Sequence, residues 1–114
     1  MSNRGWIGVD LDGTLAQYDG WKGPTHIGEP VEAMWRRVRQ WLNEGKDVRI
    51  FTARACRGGE EGVQVRAAID AWCLQQFGTE LPITNVKDFS MIELWDDRAV
   101  QVEPNTGRRV DGQP

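Results

Sequence analysis

Two aspartates, Asp10 and Asp12, come directly after the apolar run of residues 6–9, and no other feature constrains the fold as strongly. A short and continuously apolar run is typical of a strand buried on both faces, as in a parallel sheet. Gly13 then allows the chain to leave this strand in a tight turn. Two carboxylates this close repel each other unless a metal ion neutralises them or one of them holds a proton. The segment therefore predicts a buried strand whose end carries metal-assisted chemistry on an anionic substrate.

Helical and strand patterns alternate along the rest of the chain. Apolar residues recur at helical spacing from Pro30 to a stop at Gly45, and again from Glu60 to a stop at Gly78. Strands that alternate with helices predict an α/β fold, here a three-layer, Rossmann-like parallel sheet flanked by helices. The predicted strands are residues 6–10, 48–51, 82–86, 92–95 and 99–102.

Polar side chains follow three of these predicted strands at the point where each strand ends. In parallel sheets, ligands bind outside the carboxyl ends of the strands. We therefore expect the residues in these positions to meet at one edge of the sheet. They are Asp10, Asp12, Thr52, Asp96 and Asp97.

The 114 residues fit one domain. We place it at residues 1–102 and interpret the polar residues 103–114 as a C-terminal tail. An apolar content of 39% with a charged content of 27% is typical of a globular chain rather than a disordered one.

Charge, hydropathy and cysteine content argue against several functional classes. A net charge of -3 gives no reason to expect strong nucleic-acid binding. No apolar run approaches the roughly 20 residues of a membrane span, so we expect a cytoplasmic protein with no membrane partner. Cys56 and Cys73 are too far apart for a zinc motif, and we expect reduced thiols. The six tryptophans leave a homo-oligomer open, because surplus aromatic surface can mark a subunit interface.

Over residues 5–102 the chain resembles the haloacid dehalogenase superfamily of phosphohydrolases. The first signature of that family, Asp-x-Asp-Gly-Thr, is matched in full by residues 10–14. Thr52, at the end of an apolar strand, resembles the second signature, and the pair Asp96 and Asp97 resembles the fourth. The lysine of the third signature corresponds to Lys87, although only nine positions separate it from Asp96.

The resemblance implies a phosphatase reaction with defined roles. Asp10 would attack phosphorus and form an aspartyl-phosphate, and Asp12 would serve as general acid and base. Thr52 would donate a hydrogen bond to the phosphoryl group, while Lys87 would balance its charge. Backbone amides in the turn at Gly13 and Thr14 would add fixed donors.

The resemblance also implies a Mg²⁺ ion and an open site. Mg²⁺ prefers oxygen ligands, which Asp10, the backbone carbonyl of Asp12, and Asp96 or Asp97 would supply, with Asp96 favoured as the direct ligand. Many family members carry a cap domain over the site. Neither of the usual insertion points has room for one here, so we expect a member without a cap.

The substrate is predicted only as a small phosphorylated molecule, such as a nucleotide or a sugar phosphate, and the phosphate end of a nucleic acid also stays open. The loop of residues 17–28 would lie beside the site, where Trp21 could stack on a base or a sugar. Ala53 and Arg54, just past Thr52, are further candidates for contacts with an anionic substrate.

Two other functions stay open on the sequence. One is phosphotransfer to an alcohol on the same scaffold. The other is a non-catalytic or regulatory module that keeps the metal site and binds a partner. Structural roles are also open for the polar residues, because Thr52 and the Asp96–Asp97 pair can cap a loop or helix.

Overall fold

A four-stranded, fully parallel sheet forms the centre of the molecule, as seen in a computed structural model that describes residues 5–114. The strands are β1 (Trp6–Val9), β2 (Asp47–Phe51), β3 (Ile83–Thr84) and β4 (Met91–Trp95). Their order across the sheet is β3-β2-β1-β4, with parallel pairing throughout. The predicted α/β fold with a parallel sheet is therefore confirmed.

Two helices connect the first three strands. Helix α1 covers Glu32–Asn43 and helix α2 covers Gly59–Phe77, with a short 3-10 helix, Ala53–Cys56, between β2 and α2. Acidic residues occupy the first turn of both helices, where they interact favourably with the positive end of the helix dipole. Gly78 ends α2 in the left-handed conformation, as its position in the sequence predicted.

Both helices pack on the same face of the sheet. Ile7 of β1 is in register with Val48 of β2, and these side chains join residues of α1 and α2 in one buried cluster. The helices also contact each other, because Trp35 of α1 stacks on Phe77 of α2 with ring centroids 6.2 Å apart. The third layer of the predicted three-layer arrangement is not confirmed, since within residues 5–114 α1 and α2 are the α-helices and they form one layer.

The connection from β3 to β4 is short and carries no helix. Residues 85–90 cross from one edge of the sheet to the other. Strand β3 is also shorter than the predicted residues 82–86. It ends early because the Thr84 hydroxyl accepts a hydrogen bond from the Val86 amide (3.0 Å) and turns the chain away.

The predicted strand at residues 99–102 is wrong. Val102 instead forms an isolated antiparallel bridge with Arg109, and the Val110 amide donates to the Gln101 carbonyl (3.0 Å). The chain turns back at Asn105 and Gly107, both of which have positive φ. Residues 101–103 therefore pair with the following segment rather than with the sheet, and the division of the chain at residue 102 stays a prediction.

No helix among residues 5–114 is long and apolar enough to cross a membrane.

Candidate active site

A cavity of about 540 Å³ lies at the carboxyl edge of the sheet, and all four strands contribute to its lining. Each strand delivers polar groups immediately after its last residue, because the chain turns away from the sheet there. The loop of residues 17–28 adds two aromatic side chains. The lining includes Asp10 and Asp12 after β1, Thr52, Ala53, Arg54 and Arg57 after β2, Asn85 after β3, Asp96, Asp97 and Arg98 after β4, and Tyr18 and Trp21 from the loop.

Three carboxylates meet on the β1–β4 side of this cavity. One oxygen from each of Asp10, Asp96 and Asp97 lies within 4.8 Å of the others. Burial is the largest of the effects that raise the pKa of Asp10 to about 7, and a hydrogen bond with Asp97 and the charges of both neighbours add to it. The three groups are therefore costly to keep fully charged without a cation. Their all-oxygen donor set fits a hard divalent ion such as Mg²⁺.

Thr14 and Gly13 hold two of these carboxylates together. The Asp97 amide donates to the Thr14 hydroxyl (2.9 Å). Thr14 Oγ1 lies 3.1 Å from Asp97 Oδ1 and 3.3 Å from Asp10 Oδ2, so its single proton can be donated to either carboxylate. Gly13 has a φ of +88°, and a Cβ placed there would lie 2.7 Å from Asp97 Oδ2. The Asp-Gly-Thr sequence is thus explained by the close approach of the β4 end to the β1 end.

The amides of Gly13 and Thr14 are not available as the substrate donors that we predicted. The Gly13 amide donates to the Ala16 carbonyl (2.8 Å) and the Thr14 amide to the Leu11 carbonyl (3.3 Å). Neither residue lines the cavity. Their role in this structure is to shape the turn and to position the neighbouring carboxylates.

Asp12 faces away from the carboxylate cluster and pairs with Arg54. The guanidinium donates from Nε to Asp12 Oδ2 (2.8 Å) and from Nη2 to Asp12 Oδ1 (2.9 Å), a bidentate arrangement. Nη2 also donates to the His26 carbonyl (2.9 Å). The Asp12 carboxylate is engaged in this way, and the assignment of its backbone carbonyl as a metal ligand stays a prediction.

Arg54 also carries a buried hydrogen-bond donor without a partner. Its side chain is 6% exposed and lines the cavity, and Nη1 makes no hydrogen bond within the described part of the chain. An unpaired N–H on a charged, buried group is costly, so such groups usually have a partner. An anionic ligand in the cavity would provide one.

Thr52 has the capping role that the sequence left open, and its role toward a substrate stays a prediction. It is 2% exposed, and its hydroxyl oxygen accepts from the Arg54 amide (3.2 Å), which caps the 3-10 helix. Because this bond uses the oxygen only, the hydroxyl proton remains free to donate to a ligand in the cavity.

Lys87 is not brought into the cavity. It is exposed in the β3–β4 connection and does not contribute to the lining, so its role stays a prediction. Positive charge at the cavity comes instead from Arg54, Arg57 and Arg98. Asn85 and Arg98 were not singled out in the sequence, although each directly follows a strand or its acidic pair.

Comparisons with known proteins support the fold without adding a function. No protein-family model matches the chain, and no curated protein matches it either. It is similar to a solved structure described as the structure of a conserved protein from Bacteroides thetaiotaomicron, with a TM-score of 0.60 and 23% identity. The match covers 98% of this chain and 83% of the other. At this identity the similarity shows the shared fold alone.

We expect Gly13→Ala to destabilise the protein and to weaken divalent-cation binding. A non-glycine residue in the left-handed region costs about 1–2 kcal/mol, and the added Cβ must also displace the Asp97 carboxylate. Thermal unfolding with and without Mg²⁺ measures both effects, because bound ligand stabilises the folded state.

Gly45→Ala is the matched control. Gly45 has a similar φ of +78°, and a Cβ there would meet nothing within 4 Å. This variant should lose stability yet keep the full Mg²⁺-dependent shift in melting temperature. Equal loss of that shift in both variants would contradict the proposed positioning role of Gly13.

The raised pKa of Asp10 predicts a pH-dependent difference between the metal-free wild type and Asp10→Asn. The folded state favours protonated Asp10, so the resulting stabilisation is fully present below pH 3.8 and is lost as pH rises through about 7. In chelator, the wild type should therefore lose stability relative to Asp10→Asn across this window. Urea unfolding of both proteins between pH 4 and pH 8 tests this, and parallel pH profiles would refute it.

Proposed function

We propose that this protein is a divalent-cation-dependent phosphomonoester hydrolase of the haloacid dehalogenase type. The observation that carries the proposal is the convergence of Asp10, Asp96 and Asp97, with their oxygens within 4.8 Å of one another. This cluster shares a cavity with the donors of Thr52 and Arg54. Carboxylates for a cation beside donors for an anion are what phosphoryl chemistry requires, because charge on the transferred group must be neutralised.

The proposed cation is Mg²⁺, held by Asp10, the Asp12 backbone carbonyl, and Asp96 or Asp97. When bound, it would neutralise charge on the phosphoryl oxygens and on Asp10. The raised pKa of Asp10 supports this assignment, since the cluster favours a proton on Asp10 when no cation is present.

Asp10 is the proposed nucleophile. One of its carboxylate oxygens attacks phosphorus and forms an aspartyl-phosphate, while the bond from phosphorus to the ester oxygen breaks. In this proposal Asp12 starts the cycle protonated and gives its proton to the departing oxygen. It then takes a proton from the water that attacks the aspartyl-phosphate, which releases inorganic phosphate and restores Asp10. For this role Asp12 must release at least one of its two hydrogen bonds from Arg54.

Arg54 and Thr52 are the proposed phosphoryl donors. The free proton of Thr52 and the unpartnered Nη1 of Arg54 are fixed donors in a partly buried site, where such groups stabilise developing negative charge. Arg54 is better placed than Lys87 to balance the charge, because it lines the cavity.

Phosphate release from a panel of phosphomonoesters tests the proposal directly. We expect release with Mg²⁺, none with chelator, and a loss of at least about 1,000-fold in Asp10→Asn, since a nucleophile contributes on this scale. Asp47→Asn is the control, because Asp47 lies at the opposite end of β2 from Thr52. A folded wild type that binds Mg²⁺ but releases no phosphate would instead favour the metal-binding module.

Variants of Arg54 and Lys87 show, within the same assay, which of these two positively charged side chains balances the charge of the phosphoryl group. Removing one fixed donor to a developing charge costs about 100- to 1,000-fold in kcat, so Arg54→Ala should fall in this range. Lys87→Ala should stay within about threefold of the wild type, because Lys87 lies outside the cavity lining. A large loss in Lys87→Ala with little change in Arg54→Ala would instead favour the role of Lys87 that the resemblance implied.

A further inference from the structure

Charge is distributed unevenly along the carboxyl edge of the sheet. The order β3-β2-β1-β4 places the carboxylates of Asp10, Asp96 and Asp97 on the β1–β4 side, together with the single guanidinium of Arg98. The β2–β3 side carries Thr52, Arg54, Arg57 and Asn85. A phosphoryl group bound between Asp10 and Thr52 therefore has the cation site on one side. A leaving group that extended away from the cation site would meet the guanidinium and amide groups of the β2–β3 side.

Aromatic surface covers this second side. Trp21 lies with its ring centroid 5.0 Å from Cζ of Arg54 and 5.4 Å from Cζ of Arg57, both within cation–π range. Trp21 is nevertheless 45% exposed and Tyr18 is 50% exposed, and both line the cavity. We call Tyr18, Trp21 and Arg57 the aromatic shelf.

The base of the loop that carries the shelf is anchored to the core. The Gln17 amide donates to the Glu29 carbonyl (2.8 Å), and Trp72 Nε1 donates to the Gly28 carbonyl (3.0 Å). Arg54 holds the His26 carbonyl at 2.9 Å. The rings are therefore supported beside the cavity from both ends of the loop, although about half of the surface of each residue stays exposed.

From this juxtaposition we infer that the ligand of the site carries a planar ring system next to its phosphate, as a nucleotide does, and that the ring stacks on Trp21. This inference rests on the proposed function only for the phosphate end of the ligand, and the ring end is argued from the aromatic shelf. Half-exposed aromatic side chains provide a stacking face for any base. The Arg57 and Asn85 side chains offer hydrogen-bond donors to ring nitrogens and carbonyl oxygens. The cavity of about 540 Å³ is within the range of about 300–1,000 Å³ that small-molecule sites occupy.

A sugar phosphate fits this side less well. A sugar has no planar π face, so it gains less than a base does from lying against Trp21. A sugar phosphate would therefore keep the phosphate contacts and gain little from the aromatic shelf.

Equilibrium binding to the full chain carrying Asp10→Asn tests the inference without turnover. The ligands are adenosine, cytidine, their 5'-monophosphates, ribose 5-phosphate and inorganic phosphate, measured by calorimetry. We expect each nucleoside monophosphate to bind at least about tenfold more tightly than ribose 5-phosphate. The loss of one stacked base corresponds to roughly 5- to 150-fold in Kd, so Trp21→Ala should weaken nucleotide binding by this factor. It should leave ribose 5-phosphate within twofold.

Two further variants make the result specific. Trp21→Phe keeps an aromatic face and should restore part of the affinity. Phe89→Ala removes a fully exposed aromatic side chain outside the cavity lining and should change nothing. Equal affinity for nucleotide and ribose 5-phosphate, or an equal loss of both in Trp21→Ala, would overturn the inference.

The nucleosides separate this inference from the proposed function. Binding of adenosine or cytidine that depends on Trp21 supports the aromatic shelf even if the wild type hydrolyses no phosphomonoester. Phosphate release without any preference for nucleotides would support the phosphatase and refute the shelf. A short oligonucleotide with a terminal phosphate, added as a further ligand, distinguishes a free nucleotide from a nucleic-acid end as the source of the base.

Discussion

The bidentate pair between Arg54 and Asp12 connects the segments that form the cavity and holds them at fixed positions relative to one another. The two residues follow different strands and are 42 positions apart, yet the guanidinium reaches both oxygens of the carboxylate at 2.8 and 2.9 Å. The same side chain holds the His26 carbonyl and lies against Trp21. Its own amide is bound by the Thr52 hydroxyl. The buried guanidinium of Arg54 thus contacts the ends of β1 and β2 and the loop of residues 17–28.

Such a pair contributes less to stability than to geometry. Desolvation of two charges offsets much of their attraction, and removing one partner leaves the other buried and uncompensated. Asp12→Ala would strand the Arg54 guanidinium in this way. The unpartnered Nη1 adds to the cost of the ligand-free state. The proposed function would relieve this cost if a phosphoryl group accepted a hydrogen bond from Nη1.

The sequence predicted the fold wherever local patterns and topology agree. Apolar periodicity identified both helices and the central strands, and Gly78 marked the end of α2. The segment at residues 99–102 has strand-like apolar residues, but Pro104, Asn105 and Gly107 turn it back onto residues 108–110. The placement of both helices on one face depends on strand order and on the contact of Trp35 with Phe77, and neither can be read from periodicity.

The sequence predicted which carboxylates lie at the strand ends, but not which hydrogen-bond partners the polar groups of the site have. A parallel sheet brings the ends of its strands to one edge, so Asp10, Thr52 and Asp96 could be grouped from sequence alone. Whether Arg54 faces a substrate or a carboxylate is decided by tertiary packing. The same is true of the Gly13 and Thr14 amides, which the turn uses internally.

The proposed function requires that Asp10, Asp96 and Asp97 share a divalent cation. A crystal structure of the wild type with Mn²⁺ in place of Mg²⁺, with anomalous scattering used to locate the ion, shows whether they do. We expect one strong peak at the carboxyl edge of the sheet, within bonding distance of Asp10 and of Asp96 or Asp97. Crystals saturated with Mn²⁺ that lack a peak there, or that bind the ion only elsewhere, would contradict it.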